Sequence, residues 1–196
     1  MRWLWEPLGL DEVVRLLDAF PAPWWIAGGH ALDLFAGRAL RPHEDVDVLV
    51  RRDDQRAILD HLAGWDVRIA HDGRLEPWHG ERIELPRQGL WARSDPRGPW
   101  QLDFLLAETE GDDWWFRRDP AVRLALAELG ARSPAGIPYL RPEVVLLFKA
   151  KDPRDRDERD LEAVRPLLDE VSRRRLEAWL PPGHSWRNRI RERGVY

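Results

Sequence analysis

The sequence predicts an α+β chain, with a mixed α/β N-terminal part giving way to a helical C-terminal part. Three observations predict it. Between residues 24 and 50 a short apolar run, two glycines, a helical stretch and a second apolar run follow one another. Between residues 66 and 106 further apolar runs of strand length are separated by Asp72-Gly73, Pro86 and Asp95-Pro96-Arg97-Gly98-Pro99. From Pro142 onward the apolar residues recur at helical spacing. The boundary between the two parts is soft, between 120 and 140; placed at 135/136, it makes units of residues 1–135 and 136–196.

Each element has a local cause. Leu10, Val13, Val14, Leu16 and Leu17 share one side of a helix over 10–19, with Asp11 near the positive end of its dipole. Pro21 and Pro23 end that helix. Strand 24–27, helix 30–37 and strand 45–50 form the next unit, with Gly28 and Gly29 in the turn between the first two. Asp53-Asp54 opens a helix to about Ala63, and Ile58, Leu59 and Leu62 face inward. Strands are expected at 66–70, 81–85, 88–93 and 100–106, and helices at 142–150, 155–165 and 173–180. Ser172 is the expected N-cap of the last.

Composition excludes several classes. With 196 residues, 43% of them apolar and 34% charged, the chain can bury a real core and is not disordered. No run approaches a membrane span, so no membrane association is expected. Met1-Arg2-Trp3-Leu4-Trp5-Glu6-Pro7 lacks the pattern of a signal peptide. Zero cysteines exclude disulfides and thiolate chemistry, and a cytoplasmic location is expected. A net charge of −4 argues against general nucleic-acid binding. Only two of the 31 basic residues are lysines, Lys149 and Lys151, and they lie two positions apart.

Asp45 and Asp47 carry the chemistry. Side chains at i and i+2 of a strand share a face, so two like charges converge and need a counter-charge to stay ionised. A divalent cation supplies it; Mg²⁺ takes one or two carboxylates together with substrate phosphates. Gly28-Gly29 beside them can bring backbone N–H groups close to those phosphates. The chemistry suggested is metal-assisted transfer from a nucleotide.

The same window resembles the nucleotidyltransferase superfamily, with its DNA-polymerase-β-like fold. The closer likeness is to the aminoglycoside 2″-adenylyltransferase and lincosamide nucleotidyltransferase group. Gly28, Gly29, Asp33, Gly37, Arg41, His43, Asp45 and Asp47 carry it. The resemblance implies a mixed sheet flanked by helices and a third carboxylate on an adjacent strand, as metal ligand or general base. Asp103, alone in the apolar run Trp100 to Leu106, is the match. Its other reading is a solvent-facing residue, since Gln101, Asp103 and Leu105 share a face. Lys149 and the run Arg154, Arg156, Asp157, Asp160 and Leu161 also fit the group, with Arg156 where lysine is usual. An ordinary solvated helix start has much the same composition.

The expected site is therefore Asp45, Asp47 and Asp103 for catalysis and metal, with Gly28, Gly29, His30, Arg41, Lys149 and Arg156 for the nucleotide. For Arg41 and His43 structural bonding to the loop is an equal reading, and His30 stands where many relatives have serine. Asp33 is expected to stabilise the turn. Trp114-Trp115, near Glu108, Glu110, Asp112 and Asp113, either anchor the core or hold an amino-sugar by ion pairs and stacking. The resemblance implies a magnesium-dependent enzyme, with one or two Mg²⁺, that moves AMP or another NMP from ATP or another NTP to a hydroxyl acceptor. That acceptor would be aminoglycoside- or lincosamide-like, and pyrophosphate would be released. The alternatives are a non-catalytic antitoxin or interaction protein of the same fold, or an enzyme that adenylylates proteins.

Overall fold

The computed structural model describes residues 3–191; Met1, Arg2 and residues 192–196, part of the expected start and of the helical C-terminal part, lie outside them. The chain is α+β. It opens with helix α1 (Leu10–Leu16), strand β1 (Trp24–Ile26), helix α2 (Gly28–Ala36), strand β2 (Asp47–Arg51) and helix α3 (Gln55–His61). Strands β3 (Asp66–His71), β4 (Arg74–Pro77), β5 (Gly89–Arg93) and β6 (Leu102–Ala107) follow. Then come β7 (Thr109–Glu110), β8 (Asp113–Phe116), β9 (Asp119–Ala125), the short helix α4 (Leu126–Leu129), β10 (Gly130–Arg132) and β11 (Pro138–Leu140). Helices α5 (Pro142–Lys149), α6 (Asp155–Val164), α7 (Glu170–Trp179) and α8 (Ser185–Arg191) complete the described chain.

A mixed eight-stranded sheet runs in the order β10-β11-β1-β2-β6-β5-β3-β4, and β7, β8 and β9 form a second, smaller sheet. β2 is central because Val48, Leu49 and Val50 are apolar in succession and all buried, as a strand covered on both faces requires. It pairs antiparallel with β1 and parallel with β6. α2 packs on α5, α6 and β11, and α5 packs in turn on α7. Val144, Val145, Leu146 and Leu147 of α5 are all buried, so this helix is the core of the helical part. Trp186 is fully buried and donates from Nε1 to Glu158 Oε1 at 2.9 Å, which docks α8. No helix among the described residues is long and apolar enough to cross a membrane.

Three expectations are corrected. The segment 81–85 is not a strand; the hairpin partner of β3 is β4, turned through Asp72 and Gly73 at φ 48° and 69°. Two consecutive residues at positive φ make the tight turn that matches strand twist. The segment 81–85 is held by side chains instead: Ile83 N–H donates to Gln55 Oε1 at 2.7 Å, and Ile83 O accepts from Arg52 at 2.9 Å. The cap of α7 is Asp169, whose Oδ1 accepts Ser172 N–H at 2.7 Å, so Ser172 lies inside the helix. Gly28 and Gly29 are the first turn of α2, not a loop before it, and β2 begins at Asp47, leaving Asp45 in the preceding loop. Residues 135/136, the expected soft boundary, lie between β10 and β11, and the first long C-terminal helix starts at Pro142.

Candidate active site

Parallel pairing of β2 with β6 sets Asp47 directly beside Asp103. Both carboxylates feel the lack of a counter-charge. Burial, and then the charge of Asp45, push the Asp47 carboxyl up to about 6. Burial, and then the charge of Asp47, hold Asp103 well above the usual carboxylate range. Trp91, opposite Asp103 on β5, donates from Nε1 to Asp103 Oδ2 at 3.2 Å. Asp103 Oδ1 is buried without a partner. The Trp91 ring meets Trp5 edge-on at 4.8 Å and Trp100 at 6.0 Å, a low-dielectric surround that raises the cost of a bare charge. Asp103 is thus turned toward rings and a second carboxylate, not into open solvent. An orphaned buried oxygen and carboxyls pushed toward their neutral form are what a divalent cation would relieve, so this donor set fits Mg²⁺.

The glycines are explained by what they face. Gly28 has φ +58°, and a Cβ there would overlap Asp47 Oδ2 and lie 3.1 Å from its Cγ. Ala27 N–H donates to Asp47 O at 2.8 Å, which keeps the two backbones in register. Gly28 is bare because the Asp47 carboxylate occupies the space. A Cβ on Gly29 would overlap His43 Nδ1 and come within 2.9 Å of Arg41.

Behind the glycines lies a network that braces the loop. His43 Nε2 bonds Asp33 Oδ2 at 2.7 Å, while Asp33 Oδ1 accepts Leu40 N–H at 2.9 Å. The His30 ring lies 4.3 Å from that of His43, and burial, then His43, lower its pKa. His30, Asp33 and His43 bring ligand-type atoms within 4.8 Å of one another, but Asp33 is already used by the turn, as expected of it. Arg41 spends its guanidinium on Asp160, at 2.8 and 3.1 Å, and on Pro42 O at 3.0 Å.

The run from Lys149 to Leu161 is no ordinary solvated helix start. Asp157 and Asp160 are 1% and 2% exposed, and Lys149 Nζ joins them at 2.7 and 2.9 Å. Burial alone would raise the Asp157 carboxyl, but the hydrogen bonds from Lys149 and Arg154 prevail and bring it down to about 2. Arg156 reaches Glu44, next to Asp45, at 3.4 Å.

A cleft of about 440 Å³ lies over the face of the large sheet that carries Asp47, Leu49, Leu105 and Ala107. Gly28 and Lys149 line it; Gly29, His30, Arg41 and Arg156 are not among its walls. The second sheet, absent from the expected elements, closes one side through Trp115 and the β8–β9 turn. Trp114 is 1% exposed and packs near Phe116 and Phe148, so it anchors the core. The acids near it are dispersed. Glu108 is buried against Arg52, and Glu110 pairs with Arg123 at 2.6 Å. Trp91, Arg52 and the turn residues Arg117 and Arg118 were not singled out by the sequence; an alternating pattern places Trp91 on β5 but not beside Asp103.

The family model described as aminoglycoside-2''-adenylyltransferase matches residues 9–85. A 2''-aminoglycoside nucleotidyltransferase of Escherichia coli is 26% identical over 62% of this chain and 86% of its own length. Among solved structures, the lincosamide antibiotic adenylyltransferase LnuA, lincomycin-bound, aligns with a TM-score of 0.57 at 16% identity, covering 83% of this chain and all of that one. ANT(2")-Ia in complex with adenylyl-2"-tobramycin aligns at 0.52 and 19% identity, over 87% of this chain and 94% of that one. The structural likeness is one of fold.

Proposed function

We propose that this chain, which has the nucleotidyltransferase fold and resembles the aminoglycoside 2''-adenylyltransferase and lincosamide nucleotidyltransferase group, is an enzyme of that kind. It transfers AMP, or another NMP, from ATP or another nucleoside triphosphate to a hydroxyl of an aminoglycoside- or lincosamide-like small molecule, releasing pyrophosphate. The observation that carries this reading is the parallel register of Asp47 with Asp103, with Asp45 close enough to raise Asp47 further.

Asp45, Asp47 and Asp103 would hold Mg²⁺, which supplies charge stabilisation to an in-line displacement at phosphorus. The bare Gly28 lets the triphosphate approach the Asp47 carboxylate, and the N–H groups of the first turn of α2 point toward anionic oxygen. Asp103 has a second task on this reading. A carboxyl held above the usual range is better matched to accepting the acceptor hydroxyl proton than an ordinary one. Lys149 lies on the cleft wall, where its ammonium can reach phosphate as well as Asp157 and Asp160. On this reading the carboxylates belong to the unit 1–135 and the phosphate-facing lysine to the helical unit 136–196.

Calorimetric titration of Mg-ATP into the wild-type protein and into Asp45→Asn/Asp47→Asn tests the proposal. Saturable Mg²⁺-dependent binding, lost in the double variant, is expected. No binding of ATP, GTP, CTP or UTP by the wild type, with and without a panel of aminoglycosides and lincosamides, would refute it.

A further inference from the structure

Two buried acids of the cleft, Glu108 and Asp157, are committed to cations of their own, while the cation Arg117 is not. Glu108 gives both oxygens to Arg52, and Asp157 is held by Lys149 and Arg154. Arg117 and Arg118, on the turn between β8 and β9, line the same cleft. Arg118 is fixed in place: it donates to Phe148 O at 3.0 Å and lies over the Phe116 and Phe148 rings at 5.7 and 5.9 Å. Arg117 has no ion-pair or hydrogen-bond partner among the described residues, and its Nε is buried. Burial lowers the pKa of both, yet a guanidinium stays charged at any ordinary pH. Arg117 is half-buried, and a guanidinium whose buried Nε has nothing to donate to is costly to the free protein and pre-arranged for an anion.

We infer that Arg117, backed by Arg118, is an anion-recognition position on the cleft wall, taking a phosphate or carboxylate group of a bound small molecule. The planar fork of a guanidinium suits two oxygens of either group. The source is the polyphosphate of the nucleotide or an acidic group on the acceptor. The inference rests on the transfer reading for the identity of the ligand, but not for the charge of the site.

Inorganic pyrophosphate is the probe. It is titrated into the whole chain, by calorimetry and by following arginine Nε–H signals in proton–nitrogen NMR, for wild type, Arg117→Gln, Arg117→Lys and the exposed-loop control Arg97→Gln. The signal absent from Arg117→Gln should shift saturably in the wild type. Affinity should fall about tenfold or more in Arg117→Gln, since a charge-assisted hydrogen bond is lost, less in Arg117→Lys, and not in Arg97→Gln. A repeat with a non-hydrolysable Mg-ATP analogue separates the sources. Displacement of pyrophosphate assigns the anion to the nucleotide; pyrophosphate bound alongside the analogue assigns it to an acidic acceptor. An unmoved Arg117 signal, or equal affinities in wild type and Arg117→Gln, overturns the inference. If pyrophosphate shifts Arg117 while no nucleotide binds, the transfer reading fails and the anion position stands.

Discussion

Replacing Gly28 by alanine separates backbone strain from damage to the carboxylate site. Gly28 sits at φ +58°, where an alanine costs about 1–2 kcal/mol in a left-handed conformation. Its methyl would also overlap Asp47 Oδ2, and the neighbouring Cγ and Cβ, at 3.1 and 3.5 Å, leave little room for retreat. Asp47 must therefore turn away from its rotamer, adding roughly 0.5–1.5 kcal/mol. The total is about 1.5–3.5 kcal/mol of stability. Gly37, the left-handed cap of α2 at φ +66°, has nothing within 4 Å of the same imagined Cβ. Gly37→Ala thus carries the backbone cost alone, about 1–2 kcal/mol. Urea unfolding of both variants measures the stability difference. Transfer rates from a labelled nucleoside triphosphate, taken well below each melting temperature, measure the site. Displacement of a reacting group by about 1 Å costs roughly a hundredfold in rate, so Gly28→Ala should lose at least that while Gly37→Ala keeps near-normal activity. Equal activities in the two folded variants would refute the claim that Gly28 is bare on behalf of Asp47.

Other perturbations read the same electrostatics. Asp47 has a folded pKa of about 6, above its unfolded value of 3.8, so its contribution to stability is full below about pH 4 and lost as pH rises through 6. Metal-free protein should accordingly weaken between pH 4 and 7, by up to about 3 kcal/mol, and Asp47→Asn should flatten that profile and be the more stable protein at pH 8. Parallel urea titrations with EDTA at pH 5 and 8 would show no such crossover if the carboxylate were not strained. Lys149→Met leaves the buried Asp157 and Asp160 with only Arg154 and Arg41, and a loss of roughly 3 kcal/mol is expected by chemical denaturation. Asp157, depressed to about 2, stabilises above its unfolded pKa, and that contribution disappears as pH falls from about 4 to 2. Asp169→Ala removes the cap of α7 and should cost about 1 kcal/mol; a change below 0.3 kcal/mol or so would mean the end of that helix is held by packing.

The sequence by itself determined what short windows encode. The apolar run of β2, the helical spacing of α5 and α6, and the paired acids at 45 and 47 are each set by residues within a few positions. Even locally some signals misled: Ser172 looks like a cap, but Asp169 three residues earlier takes its N–H. At 81–85 the expected strand gives way to a segment whose backbone is bonded by the side chains of Gln55 and Arg52. What only the tertiary structure decided are the meetings of distant segments. Asp103 reaches Asp47 because β6 pairs parallel with β2, and Arg41 reaches Asp160 across 119 positions of chain. The need for a bare Gly28 follows from the Asp47 carboxylate beside it, and the isolation of Arg117 from Glu108 being taken by Arg52. Dihedral preference and hydrophobic period act over a turn or two of chain. Strand register, burial and the competition of charges for partners depend on the packed whole, and these decide which acids stay strained and which cations stay free.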